Sequence, residues 1–168
     1  TVSLGWALLQ TGRFLISPLL PTIIADLGIT EATAGIALAV FQGSYALVQY
    51  PSGEYSDRWN RTTLIVPGLV VLAVGFALFG LVDSLALFFV ASLVVGVGKG
   101  LFSIPSRALL SDLFSAKRGR ALGIYAAGTD VGGLVSSGVA VLALTYASWR
   151  TPFFPVAVAL AVLTVIYA

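Results

Sequence analysis

The sequence predicts an all-α integral membrane protein built from six transmembrane helices. Three observations carry this reading. Of 168 residues, 58% are apolar and only 10% are charged, against about 25% charged in an average soluble domain. Mean hydropathy is +1.02. The apolar residues also fall into six long runs separated by short polar breaks. A soluble globule of this size needs a polar surface, and 9 basic with 7 acidic residues cannot provide one. An ordinary cytosolic enzyme is therefore excluded, and so is disorder, which requires low hydrophobicity. The net charge of +2 is too small for a phosphate-binding surface, so nucleic acid is not an expected partner.

Absences narrow the chemistry further. Without Cys there are no disulfides, thiol nucleophiles or Cys-ligated zinc. Without His the commonest general base and metal ligand is missing. Neither catalytic residues nor a cofactor nor a metal is expected. The chain contains no Met and both of its ends lie inside apolar runs, which reads as a stretch cut within the first and sixth helices of a longer protein. The first run lacks a basic leading segment and is followed by five like it, so it is not a signal peptide.

A helix crossing the roughly 30 Å hydrocarbon core needs about 20 mostly apolar residues. The runs that qualify are about 3–25, 32–53, 63–82, 85–108, 119–143 and 151–168. Thr30 and Ser84 stand just ahead of the second and fourth runs, where N-caps belong. The ten-residue alternation of a membrane β-barrel is not seen. The second and fourth breaks, with the helix ends beside them, hold Arg58, Arg61, Arg107, Lys117, Arg118 and Arg120, and the other breaks hold only Arg150. By the positive-inside rule the second and fourth breaks face the cytoplasm, and so does the N-terminus. The expected location is the cell membrane.

The six runs form two triplets of the same internal pattern. In each, two runs carry polar residues and the third, 63–82 or 151–168, is almost wholly apolar. A 3+3 inverted repeat with two inner helices and one outer helix fits this pattern.

Three charges fall near the middle of their runs: Arg13, Lys99 and Asp130. Each costs roughly 2.5–3.5 kcal/mol at the bilayer centre on insertion scales, so they must face a cavity or one another. Helical spacing supports a cavity. Trp6, Gln10, Arg13 and Ser17 share one face of the first run, and Gln42, Tyr45 and Gln49 one face of the second. Ser92, Lys99, Ser103 and Ser106 line the fourth, and Ala126, Asp130, Gly133 and Ser137 the fifth. The plainer alternative is a buried Lys99–Asp130 pair that serves assembly only. Gly96 with Gly100, and Gly128 with Gly132, are GxxxG pairs that let helices approach closely.

The second break reads Gly53-Glu54-Tyr55-Ser56-Asp57-Arg58-Trp59-Asn60-Arg61. It resembles the signature of the major facilitator superfamily, G-x-x-x-D-R-x-G-R followed by Arg or Lys, which lies between that family's second and third helices. Gly53, Asp57, Arg58 and Arg61 agree with it. Asn60 stands where the family has Gly, and Thr62 where it has a basic residue. The run from Ser106 to Phe114, then Arg118-Gly119-Arg120, is similar to the family's fourth-helix exit and the loop that follows. The fifth-helix antiporter motif G-P-x-x-G-G is matched by Gly128-Thr129-Asp130-Val131-Gly132-Gly133, with Thr129 in place of Pro. The resemblance covers the whole chain, as helices one to six of twelve.

What the resemblance implies is a secondary transporter in which two six-helix bundles rock around a central site. The loop signature would act as a cytoplasmic gate. Asp57 would meet a helix N-terminus of the other bundle, and Arg58 and Arg61 would pair with local acids, Asp112 first among them. Arg suits carboxylate and phosphate because its fork donates two bonds at once. The expected substrate is thus a small organic anion, a carboxylate or phosphate ester, carried with protons. Arg13 and Lys99 would bind it, Gln10, Gln42, Tyr45 and Gln49 would orient it, and Asp130 would take the proton. One alternative is a proton-coupled drug or cation antiporter built on Asp130. Another is a membrane sensor or assembly module that moves nothing.

Overall fold

Inside lipid the backbone has no water to bond, so an apolar run must satisfy its own N–H and C=O groups as a helix. The computed structural model describes residues 2–58 and 61–167, with the side chain of Asp57 outside that description. It contains α1 (Val2–Leu27), α2 (Glu31–Arg58), α3 (Thr62–Leu81), α4 (Leu85–Leu113), α5 (Arg118–Tyr146) and α6 (Phe153–Tyr167), and a 3-10 turn at Ser115–Lys117 joins α4 to α5. Among the described residues there is no strand. Five of the helices are long and apolar enough to cross a membrane, and α6, at 15 residues, is a shorter apolar helix. The chain is a multi-pass, all-α membrane protein.

The helices differ from the expected spans mainly at one end. α2 runs on to Arg58 and α4 to Leu113, five residues past each expected limit. Hydropathy reports where lipid ends, whereas a helix continues as long as its backbone bonds do, so charged residues extend both helices beyond the apolar layer. α6 begins two residues later than expected, because Ser148 to Phe154 are held by turn hydrogen bonds. At the opposite end the caps lie where the sequence puts them. Thr30 Oγ1 accepts from the Thr33 N–H at 3.1 Å, and Ser84 Oγ from the Leu87 N–H. Gly28 adopts φ +61° and Ile29 N–H bonds back to Ile24 O at 3.2 Å. That is a Schellman stop, whose left-handed residue favours Gly.

Packing follows a palindrome. From each helix to its packed neighbour the order is α2, α4, α3, α6, α1, α5. Exchanging each helix with its counterpart three places later reverses the same list. α1 therefore lies along α5, and α4 along α2, so each triplet is completed by the other. The two GxxxG pairs make these contacts. A Cβ on Gly100 would meet Val48 Cβ at 2.7 Å, and one on Gly132 would meet Gln10 Cβ at 2.8 Å and Thr11 N at 2.9 Å. Gly96 is pressed in the same way against Ser44 and Phe41 of α2, and Gly128 against Trp6 of α1. α3 and α6 cover the far side of α4 and α1 around a stack of rings, with Phe79 5.2 Å from Phe153 and 5.8 Å from Phe88.

α2 and α5 stand at the two ends of this order and are the least covered. Tyr50 and Leu47 on α2, and Leu134 and Tyr146 on α5, are each more than three-quarters exposed. Apolar faces of this size belong against lipid or protein, not water.

Candidate functional site

α4 packs along α2 and α1 along α5, and this pairing decides which of the mid-membrane polar residues are covered. Lys99 is the most enclosed of them, only 4% exposed. Its ammonium sits 4.0 Å from the centroid of Tyr45 and 5.2 Å from that of Phe41. Both rings come from α2, and a cation over an aromatic face is held by the ring's quadrupole. The charges that act on Lys99 are Arg13 of α1 and Arg107 of α4. No carboxylate is among them. Among the described residues Lys99 forms no ion pair.

The Lys99–Asp130 pair considered from the sequence does not form. Asp130 is exposed on α5 and joins no ion pair among the described residues. The cause is the palindromic packing, in which α4 seats its polar face against α2 while α5 packs on α1. Periodicity names the face of a helix but not the helix it meets.

The other expected residues differ in exposure. Arg13 is half-buried, with its guanidinium carbon 5.1 Å from the Phe14 centroid. Gln10 is buried against Gly132, and its Oε1 has no hydrogen-bond partner among the described residues. Tyr45 and Gln49 are half-buried and Gln42 is exposed on α2. Ser92 and Ser103 on α4 are fully buried, with hydroxyls that bond nothing among the described residues.

One cluster was not legible beforehand. Trp6 and Tyr125 stack with centroids 4.9 Å apart and planes 21° from parallel. Trp6 Nε1 donates to Thr129 Oγ1 at 3.0 Å, so the residue that replaces the antiporter motif's Pro binds α5 to α1. Arg107 lies over both rings, 5.3 Å from Trp6 and 5.9 Å from Tyr125. In the sequence Arg107 reads only as one of the orienting charges. The available signal was its spacing, eight residues after Lys99 and so about 80° round the same helix.

The signature residues lie at the basic end of the bundle. Arg61 Nε donates to Asp112 Oδ2 at 2.7 Å, and its Nη1 to Ser56 Oγ at 3.0 Å. Arg58 pairs with Glu54 one turn away at 2.7 Å. A Cβ on Gly53 would meet Ile104 of α4 at ordinary contact distance. The side chain of Asp57, with Trp59 and Asn60, lies outside the described residues. At the opposite end Arg150 Nη2 donates to Asp26 Oδ2 at 2.6 Å and its Nε to Val82 O at 2.5 Å. Among the described residues no group of three or more acidic side chains could hold a metal.

Comparison with known proteins fits this architecture. The chain is 29% identical to a probable hexose phosphate transport protein of Chlamydia muridarum, over 80% of this chain and 30% of that protein. It is 29% identical to multidrug resistance protein 1 of Bacillus subtilis, over 85% of this chain and 37% of that one. The chain thus spans about a third of the length of these relatives. Its fold matches a crystal structure of a bacterial homolog of the human lysosomal transporter Spinster, in an inward-facing and occupied conformation. The TM-score is 0.82 at 21% identity, over 99% of this chain and 42% of the other. The profile of the Major Facilitator Superfamily matches residues 2–168, and the chain belongs to that family.

Proposed function

We propose that the protein to which this chain contributes is a secondary active transporter for a small organic anion, a carboxylate or phosphate ester, coupled to protons. The observation that carries the reading is the seat of Lys99: it is buried, its ammonium lies over Tyr45 and Phe41, and it forms no ion pair among the described residues. Cations gathered in a low-dielectric region repel one another, and an arriving anion relieves that repulsion while accepting their N–H donors. Arg13 and Lys99 bind the anion. Gln10, Gln42, Tyr45 and Gln49 offer polar contacts along its path, and Asp130 on the open face of α5 exchanges the proton. The relative named for hexose phosphate transport supports the same substrate class.

A second bundle, absent from this chain, completes the site and provides the surface against which this one rocks. The basic end faces the cytoplasm of the cell membrane, with the N-terminus on that side, as the distribution of Lys and Arg requires. There Gly53, Asp57, Arg58, Arg61 and Asp112 form the gate. Arg61 and Asp112 fasten the start of α3 to the end of α4, which keeps the second loop in place for contact with the partner bundle.

The test uses the full-length parent in proteoliposomes with a pH-sensitive dye inside. Carboxylates and phosphate esters should drive proton movement, and Arg13→Gln should abolish it in a folded protein. Unchanged uptake in that variant would remove Arg13 from the site. One observation favours a second reading, cation–proton antiport: Asp130 is exposed and free of any ion pair among the described residues. Proton movement driven only by organic cations, and lost in Asp130→Asn, would establish it.

A further inference from the structure

We infer that Arg107, seated on the Trp6–Tyr125 stack, is a second anion-binding site, placed between the central cations and the basic end of the bundle. The inference rests on the anion reading given above and adds a station to it.

The geometry carries the argument. Arg107 is exposed and forms no ion pair among the described residues, unlike Arg58, Arg61 and Arg150, each of which has a carboxylate within 2.7 Å. It is instead positioned by rings. Trp6 and Tyr125 are both nearly inaccessible, their stack is close, and the Trp6 indole is fixed to Thr129. The platform under the guanidinium is therefore rigid. The Tyr125 hydroxyl also lies within reach of Arg107; attraction to an aromatic face draws on the cation's charge, so the remaining N–H donors of the exposed planar fork can meet an acceptor. A guanidinium held this way has lost conformational freedom before any ligand arrives, and that lowers the entropic cost of binding.

Position completes the case. Lys99 and Arg107 are eight residues apart on α4, about 12 Å along the axis. Arg13 and Trp6 are seven apart on α1, about 10 Å. The two helices run in opposite directions, so the pair Arg13–Lys99 and the pair Trp6–Arg107 mark two levels along the bundle. An anion leaving the central level toward the basic end meets Arg107 next. Buried Ser103, whose hydroxyl bonds nothing among the described residues, lies on α4 midway between the two.

The experiment is calorimetric titration of the detergent-solubilised full-length parent with glucose 6-phosphate and with succinate. For at least one probe, wild type should bind in two phases. Arg107→Gln should weaken one phase by about tenfold or more, the loss expected for a charge-assisted hydrogen bond, and leave the other in place. Arg13→Gln should do the reverse. Arg107→Lys, which keeps charge and length but lacks the fork, should fall between, and Tyr125→Leu should weaken only the Arg107 phase. Single-phase binding that Arg13→Gln abolishes and Arg107→Gln leaves unchanged would overturn this inference while leaving the anion reading intact. Failure of wild type to bind either probe would overturn both. A fold-wide defect in Arg107→Gln is recognised by loss of both phases together, and Arg107→Lys then decides the question.

Discussion

At the residue scale, Arg150 shows how a charge can be read correctly by type and still be misjudged in role. As the lone basic residue in the first, third and fifth breaks it runs against the expected positive-inside pattern. In the structure its guanidinium bonds Asp26 and the Val82 carbonyl and lies 4.4 Å from the Trp149 centroid, while Trp149 Nε1 donates to the same Asp26 oxygen. The group is locally neutral and ties the ends of α1 and α3 to the turn before α6. Arg150→Ala should lower the unfolding midpoint more than Asp26→Asn, because it also leaves the Val82 carbonyl without its donor. Equal midpoints for the two variants in a thermal unfolding assay would remove that carbonyl from the account.

Arg61 and Asp112 are partly exposed, with side-chain accessibilities of 23% and 54%, so their direct coupling is modest. A double-mutant cycle on Arg61→Ala and Asp112→Ala should give about 0.5–1 kcal/mol of interaction free energy, shrinking as salt is added. A coupling indistinguishable from zero at low salt would make the contact incidental.

At the scale of the element, the GxxxG pairs are where sequence and structure agree most closely, and the reason is steric. A helix pair that approaches until a Cβ would collide leaves glycine as the fitting residue, and such a constraint is written directly into the chain. Gly132→Leu and Gly100→Leu should each cost about 1–3 kcal/mol through overpacking. Gly138→Ala, where a Cβ meets nothing within 4 Å, should be neutral or stabilising by up to about 1 kcal/mol. Denaturant titration of the three variants checks the contrast, and equal stabilities would show that the helices can part without cost. The polar stripes were legible in the same way, as faces. Which partner each face meets was not, because 3.6-residue periodicity carries no information about neighbours. Lys99 is the instance: its face was correctly drawn, yet it meets Tyr45 and Phe41 instead of Asp130. The helix ends at Arg58 and Leu113 were missed because hydropathy measures lipid and not backbone bonding.

At the scale of the whole molecule, six helices, the repeat and the family were all available from the sequence, since a bilayer permits few solutions for a chain this apolar. That Asp130 joins no ion pair among the described residues, and the seat of Arg107, were not, because both depend on how α5 settles on α1. That contact should also govern conformational behaviour. Thr129→Val keeps the shape but removes the acceptor for Trp6, and about 1 kcal/mol of stability should be lost with it. Thr129→Ser, which restores the hydroxyl, should recover most of that loss in the same unfolding measurement.

The palindromic packing has a consequence in time as well as in space. The hydrogen bond from Trp6 to Thr129 joins residues 123 positions apart. At about 5–20 residues per second of synthesis, its two halves are made roughly 6–25 seconds apart. For that interval α1 resides in the membrane with Gln10 and Thr11 lacking the helix that packs on them, and α2 waits likewise for α4. The young protein therefore passes through a stage in which this polar packing face of α1 waits uncovered, and the arrival of α5 closes it.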